Sequence, residues 1–385
     1  MELNKTDYKR LGDYIREVDV RNRDLKVTKL LGVSISKEFI PSIANTIGTD
    51  MSTYKIVTPN QFAYGPVTSR NGDKVSIALL SGNDMAIISQ AYTVFKVIDD
   101  NKLLPEYLMM WFRRPEFDRY ARFHSHGSAR EIFDWDEMCD VILPIPTIER
   151  QREIVSEYET LSRRIDLNNK MISRLEEIAQ TLYRKMFVAG IDKENLPDGW
   201  RMGYIKDFGT VITGKTPSTL DENNFGEYMQ FVTIPDMHNN LFIHKTERML
   251  SYKGANTQLN KTLPINTICV SCIGTSGLVS INTQICQTNQ QINSIVINSY
   301  DNLYYLYLAL KDLQNIIREF GMGGAVLNNL NKKDFEHLKI LVPQKDIIIS
   351  FQSKVYHLFE LIKSKSKQQI FLNELRSILL ARMWK

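Results

Sequence analysis

From Ile154 onward, apolar and small residues return at alternating steps of four and three: Ile154, Tyr158, Leu161, Ile165, then Ile172, Leu175, Ala179, Leu182 and Met186. Asn168 fills the one polar place in the series. A stripe of that period, sustained over more than four heptads, predicts a helix with a coiled-coil seam. Between the seam positions lie Glu149, Arg150, Arg152, Glu153, Glu157, Arg163, Arg164, Lys170 and Glu176, which form a solvated face. Pro144 and Pro146 predict an extended lead-in, because a residue before proline avoids the α region. The pattern then returns 197 positions later. Residues 146–187 slide without a gap onto 343–384, placing Leu161 on Leu358, Ile165 on Ile362, Leu175 on Leu372 and Leu182 on Leu379. The second copy keeps the ends of the stripe (Phe351, Val355, Leu358, Ile362, Leu372, Leu379, Met383) but has a polar middle around Lys365, Ser366 and Gln369.

Two equivalent helices in one chain pair most simply antiparallel about a pseudo-twofold, which predicts that Asn168 and Lys365 meet near the centre. A buried polar layer of that kind fixes register in coiled coils. The chain order is thus globule 1–145, helix 146–187, globule 188–342, helix 343–385. The repeat continues weakly into the globules at the same offset, aligning Gly127 with Gly324, Phe133 with Leu330, Asp134 with Asn331, Met138 with Phe335 and Val141 with Leu338. Strand-like runs occur at 75–80, 92–98, 267–272 and 292–297. In each globule they precede an apolar segment, from Leu104 and from Asn302, that reads as one helix of about fifteen residues. A polar Gly loop and the exit to the long helix follow. The predicted class is α+β: two mixed globules separated by two long antiparallel helices that act as a spacer.

Composition narrows the function. The 385 residues are 43% hydrophobic and 24% charged, ordinary for a chain that buries real cores. A net charge of +4 permits a nucleic-acid partner without demanding one. No apolar run approaches the ~20 residues of a membrane span. The start, MELNKTDYKR, has no signal core. Four cysteines make no disulfide framework in so long a chain, so a reducing cytoplasm is the expected setting. Residues 209–216, GTVITGKT, fit the phosphate-loop spacing, but PSTLDENN follows where a phosphate loop opens a buried helix. TVIT reads as strand, leaving TGKTPS as an exposed loop with Lys215 and hydroxyls free for phosphates. Cys269 and Cys272 form a lone CxxC on a strand, where residues three apart face opposite sides. No metal site is expected from it, nor from His124 and His126, which sit in a polar loop with Arg122 and Arg130. Methyltransferase, nuclease, helicase and hydrolase motifs are all absent from the sequence, so no catalytic residue is assigned.

The phrases ILPIPTIERQREIV (142–155) and LVPQKDIIISFQ (341–352), which lead into the two helices, resemble the specificity subunit of type I restriction–modification enzymes. LEEIAQTLYRKMF (175–187), HGSAREIFDWDEM (126–138), LPDGW (196–200) and TGKTPS (213–218) are similar to that family too, and the likeness covers essentially the whole chain. One departure is Ile348, which stands where the first copy has Gln151. The resemblance implies that each globule reads one half of a bipartite, asymmetric double-stranded DNA site. It implies that the helices space the halves and dock two modification subunits, with restriction subunits joining them. S-adenosylmethionine, ATP and Mg would then serve those partners and none would be bound here. Candidate DNA contacts are Ser69, Arg70, His124, Ser128 and Arg130 in the first globule and Lys215, Thr216, Ser218, Asn328 and Asn329 in the second. Two alternatives use the same residues differently: a nucleotide-binding enzyme with its site at 209–216, and a coiled-coil scaffold joining two proteins.

If the helices are the ruler, adding one heptad to both, after Asn169 and after Ser366, keeps the seam in phase and lengthens the strut by ~10 Å. At ~3.4 Å per base pair the preferred gap between half-sites should grow by roughly three base pairs. Binding to duplexes of graded spacing checks this, and retention of the original spacing by the extended protein counts against it.

Overall fold

The computed structural model describes residues 8–42, 48–69, 71–72, 74–127, 130–321 and 330–383. The chain divides into two compact units, Met1–Ile165 with Leu372–Lys385, and Asp166–Phe371. Each unit therefore holds one globule together with a stretch of both long helices.

In chain order the first unit carries β1 (Tyr8–Arg10), β2 (Ile15–Glu17), β3 (Leu31–Val33), β4 (Phe39–Pro41), β5 (Lys55–Val57), β6 (Gln61–Tyr64), β7 (Ile77–Leu79), β8 (Ala86–Ile88) and β9 (Thr93–Val97). Helices α1 (Pro105–Phe112), α2 (Pro115–Phe123) and α3 (Trp135–Cys139) follow, then β10 (Ile142–Pro144) and the start of the long helix α4 (Ile148–Phe187). The main sheet has the order β2-β9-β6-β7, antiparallel throughout. Phe62 and Phe95 on adjacent strands stack at 4.8 Å, and Phe112 of α1 meets both edge-on. Offset and edge-to-face arrangements of this kind are the favoured geometries of aromatic pairs.

The second unit carries β11 (Arg201–Tyr204), β12 (Gly209–Thr213), β13 (Phe225–Val232), α5 (Ile234–Met237), β14 (Phe242–Ile243), β15 (Arg248–Leu250) and α6 (Tyr252–Asn256). Next come β16 (Ile268–Ser271), β17 (Val279–Asn282), β18 (Cys286–Thr288), β19 (Ile292–Ile297), α7 (Leu303–Asp312), α8 (Gln314–Gly321), α9 (Lys332–Glu336), β20 (Lys339–Val342) and α10 (Lys345–Arg382). Its main sheet runs β12-β19-β16-β17-β14, and a second sheet runs β15-β13-β18. The first four strands of the main sheet repeat the order seen in the first unit. In both units a short antiparallel pair leads into the long helix, β1 with β10 and β11 with β20. The aligned residues Asp134 and Asn331 do the same work: each side chain accepts the amide three residues on and caps the helix that follows.

The single helix predicted after Leu104 is two helices, α1 and α2. Arg114 precedes Pro115 and takes an extended conformation (φ −75°, ψ 139°), as steric conflict with the proline ring requires. The corresponding segment in the second unit also breaks, at Leu313 between α7 and α8.

The helices pair antiparallel. Within the second unit Asn168 donates to Gln368 at 3.1 Å and Gln369 donates to Asn169 at 3.0 Å, while Tyr183 and Phe187 lie against Phe351. Asn168 is buried, but its partner is Gln368 and not Lys365 as the repeat predicts. The register between the helices is set by packing, which the alignment of one copy on the other does not encode. Of the predicted seam, Ile165, Ile362 and Leu372 are buried, whereas Leu161, Leu175, Leu182, Leu358 and Leu379 are half-buried. Tyr183, Phe187 and Phe359, outside the predicted stripe, are buried as deeply, because beside a globule each helix packs on two neighbours at once.

Gln151 clamps the first globule to its helix. It is fully buried; its side-chain oxygen accepts the Leu104 amide at 2.9 Å, and its amide donates to the Lys102 and Pro146 carbonyls. The aligned Ile348 cannot do this, but Gln352, one turn further on, does. It accepts the Tyr304 amide at 3.2 Å and donates to the Tyr300 carbonyl at 3.1 Å. A tyrosine reinforces each joint, Tyr107 hydroxyl to the Pro144 carbonyl and Tyr305 hydroxyl to the Leu341 carbonyl. His244 ties the edge of the second unit's sheet to α10, with Nε2 2.8 Å from the Ser366 hydroxyl and Nδ1 3.3 Å from the Thr283 hydroxyl. Burial, with Lys363 and Lys367 nearby, pulls its pKa down from 6.5 to about 4.

Two expectations follow from these anchors. Leaving a buried donor or acceptor unpaired costs ~1–3 kcal/mol, so Gln352→Ala should strip protection from the Tyr304 amide in hydrogen exchange and leave Leu104 alone, with Gln151→Ala doing the reverse. For His244 the unfolded chain binds a proton below pH 6.5 while the folded chain refuses it until about pH 4. Stability contributed by this site is therefore present above pH 6.5 and lost as pH falls toward 4, and thermal unfolding of a His244→Asn variant should show a shallower decline across that window.

Candidate nucleic-acid interface

In the first unit the chain from Gly65 to Gly72 and the loop after α2 are laced together by backbone. His126 and Ile132 exchange amide–carbonyl bonds at 3.0 and 2.9 Å. Phe133 donates to the Pro66 carbonyl and Thr68 to the Glu131 carbonyl, fixing the loop on the 66–69 segment. The Thr68 hydroxyl also donates to the Ser125 hydroxyl at 3.0 Å. Gly127 has φ +133°, and a Cβ there would sit 2.2 Å from the Arg130 carbonyl oxygen, so no side chain fits. This lacing brings Ser69, His124 and Arg130 to one surface although they are far apart in sequence. Ser69 and Arg130 are exposed, and the Arg130 guanidinium has no partner among the described residues. His124 is held instead: it stacks on Tyr120 at 4.2 Å, and its Nδ1 lies 2.8 Å from Glu137, whose other oxygen is 3.4 Å from His126. Arg70 and Ser128 lie outside the described residues.

In the second unit β12 pairs with β19 along its full length, from Gly209 with Ile297 to Thr213 with Asn293. TVIT is therefore strand. The chain then turns out through Gly214, where a Cβ would lie 2.1 Å from the Asn289 carbonyl oxygen. No helix opens after Thr216; the next elements are a short turn at Glu222–Asn224 and strand β13. A phosphate cradle of the nucleotide-binding type needs loop amides at a helix start, and this geometry supplies neither. The loop is pinned from beneath. The Lys215 amide donates to the Thr288 carbonyl at 2.9 Å, buried Gln258 donates to the Lys215 carbonyl at 2.7 Å, and Gln258 also donates to buried Gln287. Thr216 donates to Gln290 at 2.7 Å, and Asn224 donates to the Ser218 carbonyl at 3.0 Å. Backbone fixed in this way presents an exposed Lys215 ammonium that has no partner among the described residues. The Asn293 side-chain amide donates to the carbonyl of Leu330, which follows Asn328 and Asn329 in sequence, at 3.3 Å. Those two residues are themselves outside the described ones.

Gln258 and Gln287 are the supporting residues that sequence reasoning overlooks, as are Tyr120 and Glu137. Their partners are distant in the chain, and nothing in a glutamine's local sequence announces a buried role.

Reactive chemistry is not assembled here. Cys269 and Cys272 face different cores, as a three-residue step on a strand dictates, and burial pushes both thiols up to about 12. Burial likewise raises the thiol of Cys286, in the same core as Cys269, well above its ordinary value. A thiol so raised stays protonated and is a poor nucleophile at neutral pH. Among the described residues no group of three or more His, Cys, Asp or Glu is placed to hold a metal ion, and no helix is long and apolar enough to cross a membrane.

Comparison with known proteins bears on what these surfaces serve. The family model for the type I restriction modification DNA specificity domain matches twice, at residues 18–177 and 197–371. The chain is 31% identical over 364 residues to the type I restriction enzyme HindI specificity subunit of Haemophilus influenzae, an alignment covering 76% of this chain and 79% of that one. It is 26% identical over 191 residues to the type I restriction enzyme MjaIX specificity subunit of Methanocaldococcus jannaschii, covering 48% and 43% respectively. The crystal structure of a type I restriction–modification S subunit from M. genitalium superposes with a TM-score of 0.63 at 13% identity, covering 100% of this chain and 98% of that one. At that identity the likeness is one of fold.

Proposed function

Because the chain belongs to the type I restriction–modification DNA specificity family, we propose that each of its globules reads one half of a bipartite, asymmetric duplex site through the laced loop surface it presents. The protein is a specificity subunit, a DNA-recognition component without catalysis of its own. The recognition domains are residues 1–145 and 188–342, and the spacer helices are 146–187 and 343–385. In the first domain Ser69, Arg70, Ser128 and Arg130 face the DNA, with His124 supporting the loop from within. In the second, Lys215, Thr216, Ser218, Asn328 and Asn329 do. The paired helices dock two modification subunits, which restriction subunits join in the cytoplasm, and those partners bind S-adenosylmethionine, ATP and Mg.

One observation carries the reading. Two scaffolds of the same strand order are otherwise unlike in sequence, and each presents, after α2 in one and after β12 in the other, a cation with no partner among the described residues on a loop tied down by backbone hydrogen bonds. Phosphate contacts position a protein on DNA, whereas polar side chains at base edges specify the sequence. Equal frames with unequal tips are what a split, asymmetric site requires.

Exchange of residues 1–145 for the matching domain of a relative of different specificity should change one half-site and leave the other intact, read by mapping methylated bases after assembly with the modification subunits. Arg130→Ala and Lys215→Ala should each cost ~1–3 kcal/mol in discrimination if the side chain reads a base. If it touches phosphate, the variant should instead show a salt slope shallower by about one. No effect of either substitution on affinity or salt slope would remove these loops from the interface.

A further inference from the structure

We propose that a groove on the first unit, walled by the β3–β4 hairpin, the α1–α2 corner and the last turns of α10, holds the phosphate backbone of the DNA on which this domain sits. The proposal rests on the DNA-recognition reading and adds a binding surface separate from the recognition loops.

The groove is lined by six cations, Lys37, Lys74, Arg113, Arg119, Arg122 and Arg376, against three acids, Glu38, Glu116 and Asp118. Two of the acids are already engaged. Asp118 lies 2.7 Å from buried Lys37 and also accepts the Val75 amide, and Glu116 lies 3.4 Å from Arg119. Among the described residues Arg113 is held by neutral groups, its Nη1 donating to the Tyr158 hydroxyl at 2.9 Å with its guanidinium 5.7 Å from that ring. Arg376 donates to the Asn373 side-chain oxygen at 3.0 Å, again a neutral partner. Lys74 is exposed with no partner among the described residues. Three cations thus share a concave wall with no ion pair among the described residues, against the one remaining acid of the lining, Glu38. Guanidinium forks match phosphate oxygens, and a lysine serves as a point charge beside them.

The groove also adjoins the recognition loop. Arg122, on its wall, donates to the Gly72 carbonyl at 2.8 Å and lies 3.6 Å from Glu131. Gly72 ends the segment that carries Ser69, and Glu131 belongs to the loop that carries Arg130. A duplex resting on that loop passes its backbone into the groove without any change in the protein. This continuity favours nucleic acid over an acidic segment of a partner protein, which would have no reason to begin at the base-reading loop.

The test uses the assembled complex with its modification subunits and duplexes with and without the cognate site. Each lost phosphate contact removes roughly 0.9 from the slope of log affinity against log salt. Lys74→Gln, Arg113→Gln and Arg376→Gln together should flatten the slope by about two to three, equally on both duplexes, and leave the ratio between them unchanged. Lys74→Gln alone, at an exposed position, should flatten it by about one and covers the case in which the triple variant fails to fold. An unchanged slope in an intact complex overturns the proposal. So does loss of subunit assembly with an unchanged slope in whatever complex remains, since the groove would then belong to a protein partner. If the unaltered complex shows no preference for any duplex sequence, the specificity reading itself is what fails.

Discussion

Neither long helix can bury its own apolar face, and both globules are built around that deficit. In the second unit Tyr183 and Phe187 of α4 and Phe351 and Phe359 of α10 enter the same core as the α7 tyrosines, with Tyr304 stacked on Phe359 at 4.0 Å. In the first unit Ile154 and Tyr158 of α4 and Met383 beyond α10 complete the core beneath α1 and β9. Burial of large side chains is worth ~1.5–3 kcal/mol each, so the helices are walls of the globules rather than tethers between them. The buried glutamines turn this adhesion into a defined joint. Hydrophobic contact is indifferent to small rotations, whereas Gln151 and Gln352 satisfy particular backbone groups and hold one orientation.

That division of labour continues to the tips. The loops that carry Arg130 and Lys215 are anchored through their backbones, by the His126–Ile132 exchange in one case and by Thr288 and Gln258 in the other. Their side chains have no partner among the described residues. The side chains at these positions can therefore vary without disturbing what supports them.

Much of the architecture was legible because it is local. The heptad stripe reports a helix face directly, and the Asp134/Asn331 alignment marks a cap that serves α3 and α9 alike. TVIT announced a strand, and the strand disposed of the phosphate-loop reading. What escaped was long-range. Ile348 looked like a lost contact because the glutamine that replaces Gln151 sits one turn away, at 352, where an ungapped alignment does not look. Asn168 was assigned the wrong partner since the offset between sequence repeats differs from the register between packed helices. The neighbours of the candidate contact His124 were equally hidden, since Glu137 and Tyr120 hold it through distances that only folding creates.

The presence of Met383 in the first core has a consequence for biosynthesis. That core stays open at Ile154 and Tyr158 until the last turns of α10 arrive, more than two hundred residues later in the chain. At translation speeds of ~5–20 residues per second, the wait is roughly ten to forty seconds. During it the second globule emerges and can complete itself, since every segment of its unit lies within residues 166–371. The part of the protein made first is thus finished last. A nascent chain stalled or cut short before residue 372 would carry a sound second domain and an exposed apolar face on the first.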